Sequence, residues 1–311
     1  MSVLKNIKAL PRPFKEDESK FLLKTALKVT VIPVLAFVFI FFIFWIFVRF
    51  DLLYFESVGL RESSFFAENY YAKIFNEISR FFYLTLGFLV TLFFVGIYIG
   101  NVLIRPFKIL AQYCEKVVQG ESYSYNSNLF SDFRILTRFS DYFFTVMESA
   151  RKNQKLEKAV IPTYFTGIHK PVFDQTFFFH FCVLIMLICL SVGFMISSIC
   201  FEVHGIIVQM AIDSLKEPSQ SVARFLNSQQ EILIAINIYS ITSVALAYIV
   251  LVIHLYGKVS GAAFGIFATM RSFLKGRYDS RIHLVGYSQV RGHTRKINKF
   301  LDYMQQNFVG D

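Results

Sequence analysis

Four apolar stretches dominate the pattern of this chain: Val29–Val48, Phe81–Ile104, Gln175–Phe201 and Ile232–Gly257. None contains Asp, Glu, Lys or Arg. A helix needs roughly 20 apolar residues to cross a bilayer core, and each stretch reaches about that length. A chain of 311 residues has too little interior to bury four such helices in protein. The pattern predicts an all-α polytopic membrane protein with four transmembrane helices.

Outside these stretches the pattern becomes amphipathic. Leu110, Cys114 and Val117 recur at heptad-like spacing, as do Ile266, Met270 and Phe273, each set on one helix face. Gly120 and Gly276 follow, and each is expected to end its helix in a left-handed cap. A second helix is expected after each glycine. The first carries Phe143 and Met147, the second Ile297, Leu301 and Met304.

These features repeat in the same order. Leu110, Cys114, Val117 and Gly120 correspond to Ile266, Met270, Phe273 and Gly276 at one constant offset. Thr137-Arg138 matches Thr294-Arg295, Phe143-Phe144 matches Phe300-Leu301, and Met147 matches Met304. Upstream, the run Lys8 to Phe14 is similar to Lys158 to Phe165, and each run precedes a pair of apolar stretches. The chain reads as an internal duplication. Its parts are an interfacial segment (1–28), a transmembrane hairpin (29–104), a helical hairpin (105–149), a linker (150–174), a second transmembrane hairpin (175–257) and a second helical hairpin (258–311).

Charge then sets the topology. Basic residues crowd the N-terminal segment (Lys5 to Lys28), the middle segment (Arg105 to Lys170) and the C-terminal segment (Lys258 to Lys299). The two remaining loops are poorer in them. Asp51 and Glu56 fall in the first, Glu202 and Asp213 in the second. The positive-inside rule places both termini and the middle segment in the cytoplasm. The net charge of +10 therefore reads as topology and contact with anionic lipid, and no nucleic-acid partner is expected. The first apolar stretch is too long for the core of a signal peptide, and no small-x-small cleavage site follows it, so an uncleaved anchor is expected.

The two helix–glycine–helix segments resemble the HAMP domain, the relay module that follows a membrane helix in bacterial chemoreceptors and sensor kinases. In the second segment, apolar Tyr278 and Ile282 stand two and six positions after Gly276. Its last helix carries the run Ile297-Asn298-Lys299-Phe300-Leu301-Asp302-Tyr303-Met304, similar to the family's closing pattern. The first segment has Pro106 at the membrane exit, where the family often has proline. There Ser122 and Asn126 stand at the apolar connector positions, with Tyr123 and Tyr125 as neighbouring substitutes, and Asp132 is expected to open the second helix. The resemblance implies a parallel four-helix bundle whose helices each bury one stripe. It also implies a bacterial inner-membrane location.

Two copies in one chain can pair with each other, giving a covalent pseudo-dimer, or each can pair across a homodimer. The linker from Ser149 to Lys170 could reach roughly 70 Å at about 3.3 Å per residue, which exceeds the roughly 20–25 Å depth of the bundle.

Catalytic chemistry is not apparent. The sequence has no phosphate-cradling glycine loop, His-Glu-x-x-His, nucleophile elbow or Cys-x-x-Cys. His180 and Cys182 are two apart, so they do not share a helix face and are not expected to bind metal. No enzyme activity and no cofactor are expected. Gly96 and Gly100 form a small-xxx-small face, Ser243 and Ala247 a weaker one, and both suit close helix contacts. The polar patch around Asn237 and Ser240 is expected to hydrogen-bond a neighbouring helix. The expected function is a signal-transducing or adaptor subunit. No output domain follows Met304 in the sequence, so a separate cytoplasmic partner is expected. The alternative is a structural subunit of a membrane complex.

Overall fold

The computed structural model describes residues 17–57, 65–121, 125, 134–169, 175–215 and 220–309. The repeated run at Lys8 to Phe14 and the connector residues Ser122, Tyr123, Asn126 and Asp132 lie outside them. The described residues are helical, with no strand. In chain order the helices are α1 (Asp17–Ser57), α2 (Phe65–Val118), α3 (Arg134–Lys152), the single turn α4 (Thr163–Thr166), α5 (Gln175–Leu215), α6 (Gln220–Leu274) and α7 (Arg291–Phe308).

Helices α1, α2, α5 and α6 are long and apolar enough to span a membrane. In each, only a third of the most apolar window is buried against protein. The remainder presents side chains such as Leu35, Trp45, Phe94, Phe194 and Val250 outward. Exposing such continuous apolar surface to water is unfavourable, whereas lipid accommodates it.

The helices extend well beyond the apolar stretches. At 54 residues, α2 is about 80 Å long, and the 55-residue α6 matches it. A bilayer core takes up only about 30 Å of that length. α2 runs through Pro106 without a break, so this proline lies inside a helix. Asp51 belongs to the last turns of α1.

The chain forms two compact units. One comprises Leu27–Val95 and Leu184–Leu251. Its helices are tied by a few polar contacts in an otherwise apolar setting. Pro33 lacks an N–H, which leaves the Val29 carbonyl, one turn earlier, without its helical donor. The Tyr248 hydroxyl on α6 donates to that carbonyl at 3.0 Å. Asn237 Nδ2 donates to Ser197 Oγ on α5 at 3.1 Å, which is the interhelical role expected of the polar patch. Tyr239, Ser240, Ser243 and Ala247 instead line a groove of about 410 Å³ with Ile32, Leu35, Ala36 and Phe39. The weaker small-residue face is therefore open.

The other unit contains the start of α1 up to Ala26, Gly96–Val183 and Val252–Asp311. Here the stronger small-residue face closes. A Cβ added to Gly96 would sit 2.6 Å from Ala26 Cα, and one at Gly100 would sit 2.7 Å from Leu22 Cδ2. The two glycines let α2 cross α1 at backbone distance.

Candidate functional site: the paired hairpins

The amphipathic ends of α2 and α6 fold with α3 and α7 into a bundle of four helices. The residues expected to form its core are buried: Leu110, Cys114 and Val117 on α2, Phe143 and Met147 on α3, Ile266, Met270 and Phe273 on α6, and Ile297, Leu301 and Met304 on α7. The reason is periodicity. α3 and α7 are strongly amphipathic, so each can shed water from one face only by turning it toward the others.

The two hairpins pack against each other within one chain. Phe139 on α3 meets Phe267 on α6 at 4.5 Å between ring centroids. Phe143 reaches both Phe273 and Phe300 at 6.4 Å, and Phe144 reaches Phe300 at 5.8 Å. Edge-to-face rings at such separations add to the stabilisation from burial. At the rim, Lys296 Nζ on α7 lies 2.6 Å from Glu115 Oε2 on α2.

Both helix stops have the same geometry. Gly120 has φ +80 and Gly276 φ +90, values that glycine adopts without a Cβ clash. Gly120 N–H donates to Val117 and Glu121 N–H to Lys116. Likewise, Gly276 N–H donates to Phe273 and Arg277 N–H to Ser272. This pairing satisfies the last carbonyls of each helix.

The connectors then differ. In the first, Tyr125 packs on Tyr113 and Phe144, with centroids 5.3 and 4.7 Å away. An aromatic one position from the expected place thus packs against the bundle, the residues around it lying outside those described. In the second, Ile282 is buried and Tyr278 lies on Phe273. Asn298 holds the Ile282 backbone at both ends: its Oδ1 accepts from Ile282 N–H at 2.8 Å, and its Nδ2 donates to the Ile282 carbonyl at 3.1 Å. Arg281 braces the same turn, donating to Asp302 Oδ1 at 2.7 Å, to Gln305 Oε1 and to the Tyr278 and Ser280 carbonyls. Leu284 and Tyr287 rest where Gly265 and Gly261 leave room on α6.

Several parts of the site gave no sequence signal. The linker is not a loose tether. Leu156 N–H donates to the Phe308 carbonyl and Ala159 N–H to the Leu274 carbonyl. Lys158 covers Gly276, and Phe165 packs on Phe139 at 5.1 Å. Arg271 donates to the Phe165, Thr166 and Ile168 carbonyls. At the start of α7, Arg291 and His293 meet Asp17 and Glu18 of α1, and Lys108 also reaches Glu18. A cation such as Arg291 at a helix N-terminus is unfavourable, and the Asp17 carboxylate 3.6 Å away offsets it. Burial holds His293 below its usual pKa; the Glu18 carboxylate, 3.3 Å away, opposes that shift, while Lys296 and Lys108 reinforce it.

Cys114 is buried and free, as is Cys200. Among the described residues no group of His, Cys, Asp and Glu could hold a metal ion. Compared with protein-family models, curated proteins and solved structures, the chain matches none.

Proposed function

We propose that the chain is a non-enzymatic signal-transducing or adaptor subunit of a bacterial inner membrane, with both termini cytoplasmic. Helix motion passes through a HAMP-like four-helix bundle to a separate cytoplasmic partner. One observation carries this reading. The membrane-length helices α2 and α6 continue without interruption into the bundle, and both then end in the same glycine stop. A continuous helix transmits rotation or displacement along its axis, and a four-stripe core can adopt more than one packing. The pairing of hairpins within the chain supports a covalent pseudo-dimer, and the repeated glycine stop supports an origin by duplication.

A second reading, a structural subunit of a membrane complex, draws on the braced connector. Asn298, Arg281 and the docked linker all stiffen the second hairpin, as suits a fixed scaffold.

The test is purification of the tagged protein from native membranes in mild detergent, followed by substitution of Gly276 and Ile297. Recovery of a kinase, cyclase or chemotaxis component, with substitutions that both raise and lower its output, is expected of a relay. Envelope, motor or secretion subunits at fixed stoichiometry, with substitutions that only lose assembly, would overturn the relay in favour of the scaffold.

A further inference from the structure

Asp51 lies three residues beyond the apolar stretch of α1 and is fully buried, at 0% exposure. Tyr70 on α2 and Gln229 on α6 surround it, exposed by 2% and 4%. Tyr70 Oη donates to Asp51 Oδ2 at 3.2 Å, and Gln229 Nε2 donates to Asp51 Oδ1 at 2.5 Å. Among the described residues no lysine, arginine or histidine pairs with this carboxylate. Tyr70 is the titratable group bonded to it; Gln229 is neutral. Nearby on α1, Arg49 is directed to Tyr71 and Trp45.

Two deficits coincide here. An ionised carboxylate in apolar surroundings needs a compensating positive charge. The other atom of the same carboxamide, Gln229 Oε1, is buried without a donor among the described residues. A single proton on Asp51 corrects both. It neutralises the carboxylate and makes one carboxyl oxygen a donor, which is what Gln229 Oε1 lacks. A protonated carboxyl can donate one hydrogen bond while still accepting those of Gln229 Nε2 and Tyr70 Oη. Turning the amide over does not remove the need, because its oxygen would face Oδ1 at 2.5 Å, an approach that itself requires an intervening proton.

We propose that Asp51 and Gln229 form a proton-binding site that ties α1 to α6, with Tyr70 joining α2 to it. Proton uptake from water forms the Asp51 O–H bond and completes the tie. Proton loss leaves a bare charge among three helices. The site rests on its own chemistry, independent of whether the chain relays a signal.

Infrared spectroscopy of the full-length protein in lipid nanodiscs tests the assignment, with aspartate labelled by carbon-13 at the side-chain carboxyl. The expected result is a protonated-carboxyl band at about pH 7, where exposed aspartates with pKa near 3.9 are ionised. That band should move with the isotope label and be lost in Asp51→Asn. In Gln229→Leu it should shift to higher wavenumber. The label identifies aspartate in the wild type even if a variant fails to fold. No label-sensitive band at about pH 7 in choline chloride would overturn the proposal. A band present in choline chloride and abolished by sodium chloride would make this a metal-cation site and overturn the proton assignment.

Discussion

The helical bundle and the unit made of Leu27–Val95 and Leu184–Leu251 are held together by opposite means. The bundle has a dense aromatic core, in which Phe139, Phe143, Phe144, Phe267, Phe273 and Phe300 are all fully buried. The second unit directs much of its aromatic surface outward and joins its helices through isolated polar ties: Tyr248 to Val29, Asn237 to Ser197, and Gln229 to Asp51. The solvent explains the contrast. In water, apolar stripes associate because burial removes them from water. Lipid, the medium that such outward apolar surface suits, removes that driving force between helices, and interhelical hydrogen bonds then carry more of the association.

The two free buried thiols allow each region to be read separately, since Cys114 lies in the bundle and Cys200 on α5. Protection of each against a thiol reagent, resolved by peptide mass spectrometry, reports local opening. The largest effect is expected from Phe300→Ala, which removes a ring shared by Phe143 and Phe144. It should cost about 3–5 kcal/mol and expose Cys114 while leaving Cys200 protected. Equal exposure of both thiols would break the separation of the two regions.

Overpacking comes next. Gly96→Val places a side chain against Ala26 Cα and should cost about 1–3 kcal/mol, seen as a lowered midpoint of thermal unfolding in detergent. Wild-type stability would mean that the crossing of α1 and α2 is looser than described.

A single hydrogen bond should matter less. Tyr248→Phe leaves the Val29 carbonyl without a donor and should cost about 0.6–1.7 kcal/mol, the range for bonds between membrane helices. The matching double change Pro33→Ala with Tyr248→Phe should recover most of that loss, because the alanine restores a backbone N–H that can serve the Val29 carbonyl. Failure of the second change to rescue the first would show that Tyr248 acts by packing alone.

Smaller still is the rim pair. Glu115→Gln should cost no more than about 1 kcal/mol, since both partners are partly exposed. Its value is diagnostic. Carbodiimide treatment of a mixture of light and heavy isotope-labelled chains should join Glu115 to Lys296 within one chain. Mixed light–heavy products making up about half of the joined peptides, the share that random pairing of two labels gives, would place the contact between chains and favour a homodimer.

His293 predicts the weakest signature, a slope with pH. Its folded pKa lies below the ordinary value because of burial, so the unfolded chain binds the proton more readily. Its contribution is complete above about pH 6.5 and is lost as the pH falls through the folded value. Unfolding midpoints measured across that window should fall on acidification, and His293→Gln should flatten the slope. An unchanged slope would assign the acid sensitivity to other groups.

Much of this molecule is legible from residue order, because its strongest signals are local. A continuous apolar run of bilayer length identifies α1, α2, α5 and α6 from neighbouring residues alone. The stripes of Leu110, Cys114 and Val117 and of Ile297, Leu301 and Met304 follow from the helical repeat, which decides which side chains share a face. Gly120 and Gly276 stop their helices for reasons contained within one turn. Tertiary structure decided the rest. Asp51 reads as a loop residue until Tyr70 and Gln229 close around it. Tyr248 finds Val29 across most of the chain, and nothing in its own neighbourhood points to Pro33. Leu156 and Ala159 look like tether residues until Phe308 and Leu274 offer their carbonyls. Periodicity settles which face a helix must bury, but the partner for that face, and the donor for each stranded polar atom, exist only once distant segments meet.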